Sequence, residues 1–316
     1  MNNGFRKIVA VFSIVVISVT TSYTQIPPGY YSSANGLTGN ALKSALNDII
    51  DNHIEFPYSS SNTDVWDILK ETDQDTINPN NVSLFYSGWT LNAAQEYDGG
   101  NGWNREHVWA KSHGDFGTSP GPGTDVHALR PTDISINGAR GNRWFDEGDQ
   151  QYVDPDGTTD CYIGTTEDVW EPRDKVKGDV ARMIFYMATR YEGENGELDL
   201  EIIDYLPSSN TSDPIHAKLS TLLQWHIEDP VDDWERNRND IIYYNYQENR
   251  NPFIDHPEYV EEIWQSTAEI TESNTTTEVK LLRVIDFLGR EVDVKPGVPQ
   301  LYLYSDGSVV KRVISE

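Results

Sequence analysis

A chain of 316 residues with 51 Asp and Glu against 24 Lys and Arg carries a formal charge of −27; 37% of it is hydrophobic and 11% aromatic. Nine Trp, seventeen Tyr and nine Phe exclude a disordered acidic chain, because such chains lack this much apolar surface to bury. The single cysteine, Cys161, excludes an intrachain disulfide and a cysteine-rich zinc site, and charge of this sign spread evenly repels nucleic acid, whose binding needs clustered Lys and Arg.

In chain order, Arg6 and Lys7 precede an uncharged apolar run from Ile8 to Val19 that is short for a bilayer span. Ser22 and Thr24 flank Tyr23 as a cleavage site requires, so residues 1–24 read as a signal peptide and the mature chain starts near Gln25. A core strand or a retained anchor is the competing reading. NALKSALNDIID and TDVWDILKET read as short helices and VSLFY as a strand. Val180, Ile184, Met187, Ala188 and Tyr191 make one helical stripe, and Ile215, Leu219, Leu222, Leu223 and His226 repeat the spacing. His226 is expected to be packed rather than to act as a ligand. This order of elements predicts an α+β fold, helical in its second half, for a domain spanning 25–265. From Ser266 to Glu278 the composition turns polar, without aromatics, Gly or Pro, as in a linker. Residues 279–316 then hold the β-prone runs VKLLRVIDF, REVDV, LYLYS and SVVKRVI, with Asp306-Gly307 as a hairpin signal.

Chemistry concentrates between Trp103 and Phe145. His107, His113 and His127 fall there, and from Asn104 to Arg143 five basic residues face four acidic ones, a local charge of +1 within a chain whose remainder carries −28. Net charge describes long-range repulsion, not the field inside one cleft, and a divalent cation would add positive charge. A strand at WNREHVW, a Gly- and Pro-rich connection and a helix starting near Pro131 or Thr132 would bring Glu106 and His107 opposite Asn137. Glu and Asn oxygens suit Mg²⁺, Mn²⁺ or Ca²⁺ with several waters better than zinc, and His107 would remain free to take a proton from water. Neighbours on a regular strand point to opposite faces, so a shared site requires the strand to end, bulge or twist there. The competing structural reading pairs Glu106 with Arg105 or Arg130 and packs His107 beside Trp109.

The segments NREHVWAKSHGDFG and DVHALRPTDISINGARGNRWF resemble the signature of the Endonuclease I family of secreted and periplasmic bacterial nucleases. YYSSANGLTGNALKSALNDII, TDVWDILKETD, KGDVARMIFYMATRY and WERNRNDIIYYNYQENRNPFIDHPEYVEEIW extend the likeness over Pro27 to Trp264. The resemblance implies a ββα-metal, or His-Me, finger and cleavage of DNA, often also RNA, with little sequence preference and 5′-phosphate products. It implies His107 as general base and Glu106 and Asn137 as metal ligands, with Asp125 and His127 as supports. Arg140 is expected at the phosphate or in a salt bridge to a nearby carboxylate, and Arg105, Arg173, Lys175, Lys177 and Arg182 are candidates for substrate-backbone contacts. Some relatives use an Arg from a cysteine-bridged insertion to hold the scissile phosphate; this sequence has no such insertion. LLRVIDFLGREV and LYLYSDGSVVKRVI resemble the C-terminal sorting domain of type IX secretion cargo, which implies engagement with secretion machinery. The expectation is a secreted monomer, periplasmic in the alternative, without a membrane anchor. A noncatalytic nucleic-acid-binding protein and a phosphodiesterase for small nucleotides are the rival functions.

Overall fold

Helix α1 (Gly39–Ile50) forms where Leu42, Leu46 and Ile50 recur every fourth residue and turn to the core. Helix α2 (Val65–Thr72) does so around Val65, Ile68 and Leu69, with Asp64 accepting from Trp66 N (2.8 Å) as its cap. Both lie in a computed structural model that describes residues 26–208, 211–265, 281–285, 290–295, 298, 300–304 and 309–312. The signal-peptide segment, the polar stretch 266–278 and the Asp306-Gly307 turn lie outside the described residues.

Strand β1 (Asn81–Ser83) pairs antiparallel with β2 (Thr90–Asn92). It is shorter than VSLFY predicts, because Leu84 and Gly88 close a turn (Gly88 N to Leu84 O, 2.8 Å) and Phe85 N bonds Pro131 O (2.8 Å). That departure carries Tyr86 away from the hairpin. Strand β3 (Trp103–His107) pairs antiparallel with β4 (Leu129–Asp133), Trp103 facing Asp133 and His107 facing Leu129, and helix α3 (Ile134–Arg140) follows at once. The predicted helix start near Pro131 or Thr132 is therefore corrected. Those residues are buried in a strand, and the helix begins only past Asp133, whose carboxylate accepts from Ser135 N (2.8 Å) and Ile136 N (3.2 Å).

Strands β5 (Trp144–Phe145), β6 (Gln150–Asp154), β7 (Gly157–Ile163) and β8 (Val169–Glu171) make a sheet in the order β5-β8-β7-β6, with β5 and β8 parallel. Helix α4 (Lys177–Arg190) was expected to bury one stripe, yet all fourteen of its residues are buried. Helix α1 and the later helices surround it, and its polar groups are matched: Asp179 by Arg130 (3.1 Å), Arg182 by Glu235 (2.6 Å), Arg190 by Glu197 (2.8 Å). Strands β9 (Glu201–Ile203) and β10 (Ile215–Ala217) pair in parallel, so Ile215 belongs to a strand and not to the helical stripe predicted for it. Helix α5 (Leu219–Glu228) packs on α4; α6 (Asp233–Ile241) starts from an Asp232/Glu235 capping box, continues as a π turn to Gln247, and leads to α7 (Pro252–Asp255). His226 is packed, with Nε2 3.1 Å from Pro257 O. In the tail, β11 (Leu281–Ile285), β12 (Gln300–Tyr304) and β13 (Val309–Arg312) form an antiparallel sheet in that order.

The fold is thus α+β, and its core sits in two main clusters. One gathers α1, α4 and α5 with Val108, Trp109 and Ile136; the other gathers α2 with Trp103, Val126 and Leu129. Strands β3 and β4 with α3 are wedged between them, so both sides of the ββα unit are held by packing. Among the described residues no helix is long and apolar enough to cross a membrane.

Candidate active site

The strand problem posed by adjacent Glu106 and His107 is resolved because β3 ends at His107. Both side chains line one pocket of about 280 Å³ together with Lys111, Asn137 and Arg140. Asn137 lies one turn before Arg140 on α3. The three residues predicted to carry the chemistry are therefore brought together.

Glu106 is buried and takes two contacts on a single oxygen: Tyr86 Oη donates to Oε1 (2.8 Å), and Arg140 Nε lies 3.4 Å from the same atom. No described residue is bonded to Oε2. Burial pushes the carboxyl up to about 7 although Arg140 and Tyr86 both pull it down. A carboxylate in this state favours further positive charge, and a cation at the pocket would hold it ionised.

His107 Nε2 lies 3.0 Å from Gly123 O. A carbonyl only accepts, so Nε2 carries the proton and Nδ1 keeps its lone pair. Burial pushes the imidazole down to about 4, with Lys111, Arg105 and Arg140 adding to the effect, so it is neutral at pH 7. The Tyr58 ring stacks on it at 5.7 Å and 23°. Gly123 has to be glycine: a Cβ there would meet Gly117 O at 2.4 Å. Next to it, Asp125 is buried and accepts from Tyr186 Oη (2.9 Å), Tyr191 Oη (3.0 Å) and Gln247 Nε2 (3.0 Å), while His127 Nε2 meets Asn249 O (3.1 Å). Both residues support the loop, as expected of them.

Arg140 is in the salt bridge, one of the two roles expected for it. It is fully buried and its other donors reach His107 O (3.2 Å) and Val108 O (2.7 Å), which ties the end of β3 to α3. Of the other predicted substrate contacts, Arg182 is bonded to Glu235 and Lys177 to Glu171 (2.7 Å), both buried. Arg105 is clamped between the rings of Tyr58 (3.4 Å) and Trp66 (3.9 Å). These three are committed to the protein. Arg173 and Lys175 line a separate hollow of about 430 Å³ with Arg130 and Asp179. Sequence reasoning missed Tyr86, Tyr58 and Gly123. Only Gly123 left a signal, in the Gly- and Pro-rich run that precedes Asp125.

Glu106 and Asn137 bring hard oxygen donors to the pocket, which Ser112 and Asn142 also line. Among the described residues no group of three His, Cys, Asp or Glu side chains is placed to hold a metal ion. A carboxylate with one uncommitted oxygen beside a carboxamide fits a cation that keeps most of its ligands as water.

Comparison with known proteins places these features in a nuclease, a hydrolase. The sequence model of the family described as Endonuclease I matches residues 38–258, and the chain belongs to that family, which is metal-dependent in general. Over 237 residues, the chain is 57% identical to an extracellular ribonuclease of Bacillus subtilis (strain 168) and 56% identical to an extracellular ribonuclease of Bacillus amyloliquefaciens. Each alignment covers 74% of this chain and 78% of the relative.

Proposed function

We propose that the protein is a secreted, sequence-nonspecific endonuclease that hydrolyses phosphodiester bonds of RNA and DNA to 5′-phosphate products, with β3, β4 and α3 serving as a ββα-metal finger. The observation that carries this reading is the meeting of Glu106, His107 and Asn137 in one pocket, with the His107 tautomer set by Gly123 O. Nδ1 of His107 takes the proton from water as it attacks phosphorus. Glu106 and Asn137 would hold the cation, and Arg140 and Tyr86 keep the Glu106 carboxylate in place. When bound, Mg²⁺, with Mn²⁺ or Ca²⁺ as alternatives, would neutralise charge on the phosphoryl group and the leaving oxygen. Water as the attacking group needs no 2′-hydroxyl, so DNA and RNA both qualify, and the two ribonuclease relatives support RNA. Their extracellular naming, the signal-type start and the sorting-type tail support export.

Purified protein incubated with plasmid DNA and with RNA, with and without chelator, tests the proposal. Cleavage of either should stop on chelation and return with Mg²⁺. Substitution His107→Ala should slow it by roughly 10² to 10⁴ with the circular dichroism spectrum unchanged. Cleavage that survives exhaustive chelation overturns the metal assignment. Binding of nucleic acid without any cleavage hands the case to the noncatalytic alternative.

A further inference from the structure

We propose that Lys111 is the residue that grips the substrate strand, its ammonium holding a nonbridging oxygen of a phosphate at or next to the bond that is cut. The inference rests on the endonuclease reading and supplies the cationic contact for which the sequence offers no insertion.

Three observations carry it. Lys111 is exposed and lines the pocket of Glu106, His107 and Asn137, and among the described residues none pairs with its ammonium. The other cations nearby are engaged: Arg140 with Glu106 (3.4 Å), Arg143 with Asp168 (3.0 Å), and Arg105 between two aromatic rings. Finally, the backbone beneath Lys111 is fixed. Phe116 N bonds Lys111 O (3.2 Å), His113 N bonds Ala110 O (2.8 Å) and Trp109 Nε1 bonds His113 O (2.8 Å), so the side chain is launched from a set place just beyond β3. A phosphodiester is a monoanion that gains charge as water attacks. An uncommitted ammonium at the mouth meets that charge, and in a chain of −27 it also offsets repulsion of the strand.

The test uses the full chain, a twelve-nucleotide single-stranded substrate and three proteins: wild type, Lys111→Ala and Lys111→Arg. The readouts are kcat/KM across a series of KCl concentrations at saturating Mg²⁺, and Mn²⁺ affinity without substrate, followed by electron paramagnetic resonance. Lys111→Ala should lower kcat/KM by about tenfold to a hundredfold at low salt, as for loss of a hydrogen bond to a charged group. It should make the dependence of log kcat/KM on log salt shallower by roughly 0.7, the value for one lost contact to a single strand, while Mn²⁺ affinity stays put and Lys111→Arg recovers much of the rate. An unchanged rate and salt slope overturn the inference, as does a weakened Mn²⁺ affinity, which would mean that the substitution disturbs the pocket and not a phosphate contact. A wild type without activity sinks the endonuclease reading instead. Anisotropy of the labelled strand against salt then tests Lys111 separately, and an equal slope for wild type and Lys111→Ala overturns it.

Discussion

Two fully buried arginines, Arg140 on α3 and Arg182 on α4, each face a buried glutamate whose carboxyl burial pushes upward. Arg182 grips both oxygens of Glu235, Nε to Oε1 at 2.6 Å and Nη2 to Oε2 at 2.7 Å, and Glu235 also closes the cap of α6. Arg140 meets only Oε1 of Glu106, at a longer 3.4 Å, and spends its other donors on backbone carbonyls. The same pair of residue types thus makes a closed strut in one place and leaves a carboxylate oxygen uncommitted in the other. What separates them is the oxygen left over and the fact that Glu106 itself lines a pocket.

Removing each acid should expose this difference. Glu235→Ala leaves the buried Arg182 without the carboxylate that takes two of its donors and should cost about 3–5 kcal/mol of stability, a fall in melting temperature of roughly 10 °C for a domain of this size. Glu106→Ala should destabilise less, because Arg140 meets that carboxylate at only one oxygen and keeps its bonds to His107 O and Val108 O, but should raise the Mg²⁺ requirement steeply. Thermal melts and Mg²⁺ titrations of both variants decide; equal destabilisation with no change in Mg²⁺ requirement would erase the distinction. A finer probe is Tyr86→Phe, which removes one donor to Oε1 and should raise the half-saturating Mg²⁺ by about 10–100-fold, with a normal melt. A melt that falls while the Mg²⁺ requirement holds would make Tyr86 a packing residue only.

The smallest effect is expected from pH. Below about 7 the Glu106 carboxyl takes up a proton that the cation must displace, so half-saturating Mg²⁺ should rise about tenfold from pH 8 to pH 6. His107, pushed down to about 4, stays neutral throughout that range. Any loss of rate near neutrality should therefore vanish at saturating Mg²⁺. A loss that persists there would belong to the imidazole.

How much of this could be read from residues alone varies with sequence distance. Glu106, His107 and Asn137 were legible because they sit in one motif-bearing stretch, and the apolar spacing of α1 and α2 announced those helices. Strand β4 was hidden by Pro131, which reads as a helix start but whose carbonyl accepts from Phe85 N. The sequence leaves Arg140 between two roles, and the geometry puts it in the salt bridge. Arg130, the rival partner for Glu106, lies directly across from it in the β3–β4 register and yet turns to Asp73 (2.8 Å) and Asp179 (3.1 Å). Tyr86 reaches Glu106 only because the chain leaves β1 early, a tertiary event with no periodic trace. Buried polar residues of α4 defeated the stripe expectation in the same way, since their partners come from remote segments.

The bond between His107 and Gly123 O makes the two imidazole nitrogens inequivalent before any substrate arrives. The nitrogen-15 signals of this one ring are therefore a gauge of whether the segment joining β3 to β4 is seated. A seated segment gives one protonated and one bare nitrogen; a displaced one lets the proton exchange between them. The enzyme carries its own spectroscopic label for readiness in the ring proposed as its base.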